Sequence, residues 1–277
     1  MSEMAFNICG LLPVGVEDPP EWLRTHLARK LGRFQISPGD VSRADLVLTP
    51  LATQSQTDVV SMTAGPQHRM ACAFHDGKKA IFLTHHDEPD VGLFPGEPLR
   101  LLYARRRHAV ARIYGVMLLA FRMAMLRNRA LLFHGACIAR DDRTVLICGP
   151  RGSGKTVLVL SLLRHGWDYL ADDKLVLKEG TAHLFESHIA IRDHHLRGMP
   201  WLAKRMGAAE KPQQWRLKAR ALAAELGRRI LPKRYVTSWI RRWDRRHVRP
   251  ADKLFPEVDL LTDARPDLLV YLSPARS

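Results

Sequence analysis

Cysteine is scarce in this chain, and the few cysteines that occur are scattered. The four of them form no Cys-x-x-Cys pair and have no metal-ligand spacing with histidine; they are Cys9, Cys72, Cys137 and Cys148. This pattern favours reduced thiols over a disulfide framework. We therefore predict a protein of a reducing compartment, with a cytoplasmic location.

Long apolar runs are missing as well. The most apolar segment, residues 113–121 (IYGVMLLAF), is flanked by Arg112 and Arg122. A membrane-spanning helix needs about 20 apolar residues, so we expect a buried helix here and no membrane partner. The first residues also lack the basic stretch and long apolar stretch of a secretion signal.

Acidic residues are too few to balance the basic ones. The chain has 43 Lys and Arg against 28 Asp and Glu, a formal net charge of +15. Between residues 211 and 253 there are 14 basic residues and three acids. Such a field favours an anionic partner, which can be nucleic acid, anionic lipid or an acidic protein. A solvated basic helical face is the alternative interpretation.

The patterning divides the chain into three parts. Residues 1–100 alternate short apolar runs with Pro, Gly and charged turns, which predicts a smaller N-terminal α/β domain. Residues 101–129, rich in Leu, Ala, Met and Arg without proline, predict a connecting helix. Residues 130–277 predict a second α/β domain, with a mostly helical basic region at 200–253. The expected fold class is α/β.

Strand and helix signals surround one glycine-rich segment of the second domain. Two apolar runs flank the turn-forming residues 140–143 (RDDR), which predicts two adjacent strands. The second run leads directly into the glycines. An apolar helix follows and is expected to end at Gly166. Residues 168–172 predict the next strand, and residues 267–272 (DLLVYL) predict one more. The order strand, loop, helix, strand is typical of nucleotide-binding α/β cores.

The glycine-rich segment satisfies the pattern G-x-x-x-x-G-K-[ST]. In such a loop, backbone N–H groups turn inward around phosphates and the following helix adds its positive end. Lys155 is expected to reach the phosphate oxygens, and the Thr156 hydroxyl to hold Mg²⁺. The predicted nucleotide-binding residues are Gly149, Pro150, Arg151, Gly152, Ser153, Gly154, Lys155 and Thr156.

An acidic pair, Asp172 and Asp173, follows the strand after the loop's helix. Strand ends in this architecture line the ligand cleft. Near Mg²⁺ and a phosphate, one carboxylate can join the metal's coordination shell while the other takes a proton from an incoming hydroxyl. A solvated hairpin start, with Asp as a turn former, is the alternative. His134, taken alone, is more typical of a structural histidine.

Together these residues resemble the catalytic core of the HPr kinase/phosphorylase family. The segment 133–177 reads FHGACIARDDRTVLICGPRGSGKTVLVLSLLRHGWDYLADDKLVL. It contains, in the family's order, the His-Gly pair, a short strand pair, the GKT loop, a helix ending near glycine and the sequence ADD. The resemblance covers about 45 residues, and this joint pattern is more specific than the loop alone.

The resemblance implies a P-loop kinase core with ATP as the phosphate donor. Lys155 would contact the transferred phosphate, and Thr156 would hold Mg²⁺ together with Asp172. Asp173 would be the base that deprotonates the acceptor hydroxyl. His134, which matches the family's histidine, would lie in the active site near the phosphates. The implied catalytic residues are therefore His134, Lys155 and Asp173.

Departures from the family affect the second metal-binding acid and the substrate. Ala190 stands where the family has a glutamate before Ile191 and Arg192, so Glu186 and Asp193 remain as alternative replacements. His194 and His195 are interpreted as part of a solvated loop. Residues 1–100 show no match to the sensor domain of HPr kinases. We therefore do not expect HPr itself to be the substrate.

The chain is more similar to divergent HPr-kinase-like proteins of peptide natural-product pathways, including those of lasso-peptide precursors. That likeness implies a Mg-ATP-dependent kinase acting on a hydroxyl, expected to be serine, of an acidic or hydroxyl-bearing peptide or protein. Relatives of this kind also imply a homo-oligomer. Two alternatives stay open: a nucleic-acid-associated P-loop NTPase, and a nucleotide-binding regulator without catalysis.

Overall fold

The computed structural model describes residues 3–40, 43–51, 58–63, 68–75, 78–85, 88–207 and 246–273. It is a mixed α/β structure with several sheets and helices, in agreement with the predicted class. The chain forms two compact units. The first comprises residues 1–133 and 176–179, and the second comprises residues 134–175 and 180–277.

A nine-stranded sheet dominates the first unit, with strand order β3-β1-β2-β4-β9-β8-β7-β6-β5. Strands β2, β4 and β9 run parallel, and the other neighbours pair antiparallel. The elements are β1 (Met4–Ile8), β2 (Leu12–Val16), α1 (Glu21–Leu31), β3 (Gln35–Ile36), β4 (Leu46–Pro50), β5 (Asp58–Thr63), β6 (His68–His75), β7 (Lys78–His85), β8 (Glu88–Phe94), β9 (Leu99–Tyr103), α2 (Val110–Arg127) and β10 (Leu131–Phe133).

Two amphipathic helices belong to this unit. Helix α1 buries Leu23, Leu27 and Leu31, which recur every four residues and so lie on one face. Helix α2 packs on β8, β9 and β10. Its buried stripe contains Ile113, Met117, Ala120, Phe121, Ala124 and Met125. The apolar segment at residues 113–121 thus lies in a helix, as predicted, but this helix is buried on one face only, and Leu119 is 46% exposed.

The helix predicted over residues 101–129 begins later than expected, at Val110. The preceding residues Leu99–Tyr103 form strand β9, which lies between β4 and β8. Four of these five residues are buried, because the strand is covered as a central member of the sheet. Leucine-rich composition favours a helix only weakly, and pairing on both edges overrides it.

The second unit contains the strands around the glycine-rich loop. Its sheet has the order β13-β11-β12-β19; β12 and β19 run parallel, and the remaining neighbours run antiparallel. From residue 134 onward the elements are β11 (Ala136–Arg140), β12 (Arg143–Cys148), α3 (Lys155–Arg164), β13 (Asp168–Asp172), β14 (Leu175–Lys178), β15 (Thr181–Leu184), β16 (His188–Arg192), α4 (Asp193–Gly198), α5 (Pro200–Arg205), β17 (Arg246–Pro250), α6 (Ala251–Leu254), β18 (Asp263–Ala264) and β19 (Leu268–Tyr271).

The local predictions around the loop are confirmed. Strands β11 and β12 pair across a turn in which Asp141 has a positive φ of 53°. Helix α3 ends before Gly166, whose φ is +78°. The final apolar run forms β19, beside β12. The central strands are buried on both faces, which explains why they read as continuous apolar runs.

The basic region predicted to be mostly helical over residues 200–253 is only partly described. Helix α5 lies at its start, while residues 208–245 lie outside the described residues. At its end the prediction is wrong, because Arg246–Pro250 is strand β17, paired antiparallel with β16. Pairing with a neighbouring strand decides this segment, and Pro250 has no N–H with which to continue a helix. None of the described helices is long and apolar enough to cross a membrane.

Candidate active site

The glycine-rich loop connects β12 to α3 and depends on glycine conformations. Gly149, Gly152 and Gly154 have φ values of +147°, +87° and +94°. A Cβ atom at Gly149 would lie 2.3 Å from the backbone oxygen of Leu272, just after β19. The neighbouring strand therefore passes too close for any side chain at this position.

Lys155, the first residue of α3, reaches back into the loop. Its Nζ donates hydrogen bonds to the backbone oxygens of Gly149 at 2.7 Å and Pro150 at 3.2 Å. The residue is only 7% exposed. The Ser153 hydroxyl is also buried, and no described residue accepts or donates a hydrogen bond to it. The loop thus contains the buried ammonium group of Lys155 and the buried hydroxyl of Ser153, which has no hydrogen-bond partner among the described residues.

Thr156 and Asp172 meet at the end of strand β13. The threonine hydroxyl lies 3.1 Å from both carboxylate oxygens of Asp172, which is 3% exposed. A hydroxyl and a carboxylate are the hard oxygen ligands that Mg²⁺ prefers, and Mg²⁺ usually takes one or two protein ligands with waters and phosphates. The described residues contain no group of three or more His, Cys, Asp or Glu side chains arranged for a metal ion.

Tyr169 lies beneath this acidic end of β13. Burial raises its pKa well above the ordinary value, and the nearby carboxylate of Asp172 raises it further. The phenol therefore stays protonated at neutral pH. Its hydroxyl lies 3.5 Å from the backbone oxygen of Glu186, which ties β13 to the segment that carries that acid.

Asp173 follows in an unusual backbone conformation, with a φ of +126°. Its N–H donates to the backbone oxygen of Gly135 at 2.9 Å. The Nδ1 atom of His134 lies 2.8 Å from the backbone oxygen of Asp173 and 3.2 Å from its Oδ1. A non-glycine residue at this φ is strained, and strain of this kind concentrates at functional sites. The histidine and the strand partner together fix where the carboxylate lies.

Two further residues complete this cluster, and sequence reasoning missed one of them. The Nζ of Lys174 lies 3.1 Å from Oδ2 of Asp173 and 3.4 Å from Oε1 of Glu186. Glu186 is 3% exposed. The only sequence signal for Lys174 was a cation directly after two acids, which is not specific. Glu186 was one of the two acids that the sequence offered as replacements for the family's second metal-binding acid.

Asp193, the other candidate for the second metal-binding acid, has different neighbours. It is 2% exposed, and its Oδ1 is 2.8 Å from Nε2 of His247 on β17. Next to it, His195 is 8% exposed and its Nδ1 accepts a hydrogen bond from the Arg192 N–H at 3.2 Å. The loop predicted at His194 and His195 is wrong, because both lie in α4, where His195 caps the start of the helix. His194 is exposed, as predicted, whereas His195 is buried.

The structure thus brings the predicted residues into adjoining groups within the second unit. Lys155 lies inside the loop, Thr156 contacts Asp172, and His134 contacts Asp173. Pro150 and Arg151 complete the loop, and Arg151 is exposed. The arrangement places an ammonium group inside the glycine loop, a hydroxyl against a buried carboxylate, and a second carboxylate beside a histidine.

Comparison with known proteins adds no family to these observations. No protein-family model matches the chain, and no curated protein matches it.

Proposed function

We propose that the chain is a Mg-ATP-dependent kinase with a P-loop core of HPr-kinase type, which transfers the γ-phosphate to a hydroxyl of a peptide or protein. The observation that carries the proposal is the contact of Thr156 with Asp172. It lies directly after a glycine loop whose backbone oxygens bind the ammonium of Lys155. The resemblance in segment 133–177 supports the kinase class. A serine of a peptide precursor, such as a lasso-peptide precursor, is the proposed acceptor.

In this mechanism the loop residues bind and orient the nucleotide. When the nucleotide binds, the ammonium of Lys155 leaves the backbone oxygens of the loop and donates to β- and γ-phosphate oxygens instead. The N–H groups of the loop donate to the other phosphate oxygens. Thr156 and Asp172 would hold Mg²⁺, which neutralises charge on the phosphates when bound. Positioning supplies most of the rate in this kind of reaction, because phosphoryl transfer needs little covalent help.

Asp173 has the role of general base. The acceptor oxygen forms a bond to the γ-phosphorus while the bond from that phosphorus to the leaving ADP oxygen breaks. The hydroxyl proton passes to the carboxylate of Asp173. His134 positions that carboxylate through Nδ1 and faces the same end of the strand.

The test is transfer of label from γ-labelled ATP in the presence of Mg²⁺. The purified chain is incubated with peptides encoded next to its gene, alongside Lys155→Ala and the control Lys178→Ala, which removes a lysine of β14. We expect labelled peptide serine with the native chain and with the control, and a loss of about 100-fold or more with Lys155→Ala. Free phosphate that is stimulated by DNA or RNA, without labelled peptide, would instead support the nucleic-acid-associated NTPase.

A further inference from the structure

Lys174 stands between two carboxylates that come from distant parts of the chain. Its Nζ is 3.1 Å from Oδ2 of Asp173 and 3.4 Å from Oε1 of Glu186. The lysine side chain is 16% exposed and the glutamate side chain 4%. Glu186 is therefore held in the protein interior within reach of a cation.

The convergence of two carboxylates has a physical requirement. A carboxylate taken out of water is costly unless a counter-charge compensates it, and two of them facing one point repel each other. Proteins meet this requirement either with a bound divalent cation or with a basic side chain. Here the ammonium of Lys174 supplies the positive charge, with three N–H donors to share between the acids.

We propose that Lys174 is a built-in cation that takes the place of a second divalent metal ion in the site. This inference rests on the proposed kinase function, in which phosphoryl transfer often uses two metal ions. The site then holds one Mg²⁺, at Thr156 and Asp172, while Lys174 joins Asp173 to Glu186. Glu186 acts as the anchor of Lys174 rather than as a metal ligand.

The position of Lys174 also affects the proposed base. One oxygen of Asp173 faces Nδ1 of His134 and the other faces Nζ of Lys174. The carboxylate is thus held from both sides. Lys174 is a positioning residue, because it acts through Asp173 and Glu186.

Counting bound Mn²⁺ tests this inference without measuring activity. Electron paramagnetic resonance of free Mn²⁺ gives the number bound per chain, with and without a non-hydrolysable ATP analogue. With the analogue, we expect one Mn²⁺ for the native chain and for Lys174→Arg. We expect Lys174→Ala to bind one more than the native chain under both conditions, because the positive charge that Lys174 places between the two carboxylates is then missing.

Two control variants and one substitute variant accompany this measurement. Lys178→Ala removes the same charge elsewhere and should match the native count. Lys174→Ala combined with Glu186→Gln should lose the additional ion. Lys174→Gln serves as a second variant if Lys174→Ala does not fold, and circular dichroism shows whether each of these two variants is folded.

Two results would overturn the inference: two Mn²⁺ bound to the native chain with the analogue, or no additional ion in Lys174→Ala and Lys174→Gln. Failure of the proposed function looks different. In that case the analogue adds no Mn²⁺ to the native chain, while the difference between Lys174→Ala and the native chain persists.

Discussion

Two buried acids in the second unit invite comparison, since both were candidates for the same role. Glu186 belongs to the loop region, by which we mean residues 149–156 with His134, residues 172–174 and Glu186. Asp193 belongs to the hairpin region, by which we mean strands β16 and β17 with Asp193 and His247. Their exposures are nearly equal, at 3% and 2%. Their neighbours differ.

The difference lies in what each acid is connected to. Glu186 contacts Lys174, which contacts Asp173 beside the loop. Asp193 contacts His247, which lies on the strand paired with β16. A buried acid therefore does not identify a functional site by its burial. The contacts that lead from the acid are more informative, and from Glu186 they lead through Lys174 to the proposed base.

The backbone of the loop region is expected to have a large effect on ATP affinity. Gly149→Ala places a Cβ atom 2.3 Å from the oxygen of Leu272, and this backbone atom cannot move aside easily. We expect ATP affinity to fall by about 100-fold, since the loop must shift to relieve the clash. Calorimetric titration with ATP and Mg²⁺ measures this loss of affinity.

Gly152→Ala is the matched control in the same loop. Its φ of +87° makes alanine strained, but among the described residues, apart from the two chain neighbours, no atom lies within 4 Å of the added Cβ. We expect a loss of roughly 10-fold, from strain alone. Equal losses for the two variants would show that close packing of β19 does not shape the loop.

The next effect separates the two acids directly. Glu186→Gln should slow transfer by roughly 10- to 100-fold, because Lys174 loses its anchor and Asp173 shifts. Asp193→Asn should leave the transfer rate within about twofold of the native value. Single-turnover rates at saturating ATP measure both. A larger loss for Asp193→Asn than for Glu186→Gln would reverse the comparison.

His247→Ala should affect stability rather than transfer. It removes a partner 2.8 Å from a carboxylate that is 2% exposed. A buried acceptor that loses its partner costs about 1–3 kcal/mol in the free energy of unfolding. Denaturant unfolding measures the loss, and KM for ATP should not change. An altered KM would connect the hairpin region to the site.

A further effect, on stability at alkaline pH, is expected in the strand that supports the loop region. Cys137 on β11 is paired with Ala171, next to Asp172. Burial raises the pKa of its thiol from 9.0 to about 12. Between these values the unfolded chain loses a proton that the folded chain keeps. Stability is therefore full below pH 9 and falls as pH rises, by about 1.4 kcal/mol per pH unit from this group.

Cys137→Ser checks this prediction, because a serine does not titrate in that range. We expect denaturant unfolding between pH 9 and pH 11 to show a shallower loss of stability in the variant than in the native chain. The same slope in both proteins would show that the thiol does not keep its proton in the folded state.

Local features of the chain were predictable from the sequence, and distant pairings were not. Strand, glycine loop and helix follow one another over residues 143–164, so their geometry depends on neighbouring residues. The contact of Lys174 with Glu186 joins residues on either side of strands β14 and β15, and no local pattern specifies that contact. The same cause explains β9 and β17, where pairing with distant strands overrode helical composition. Segment 133–177 was therefore better predicted than the surroundings that complete it.

The most direct measurement of the central claim compares two quantities in Asp173→Asn: the single-turnover rate of phosphate transfer to the acceptor peptide, and the affinity for ATP with Mg²⁺. Loss of a general base slows transfer by about 100- to 10,000-fold, while the loop, Lys155 and Thr156 still bind the nucleotide. The account predicts that large loss of rate with an affinity within about threefold of the native value. A native rate in the variant would contradict the role of Asp173 and, with it, the proposed kinase mechanism.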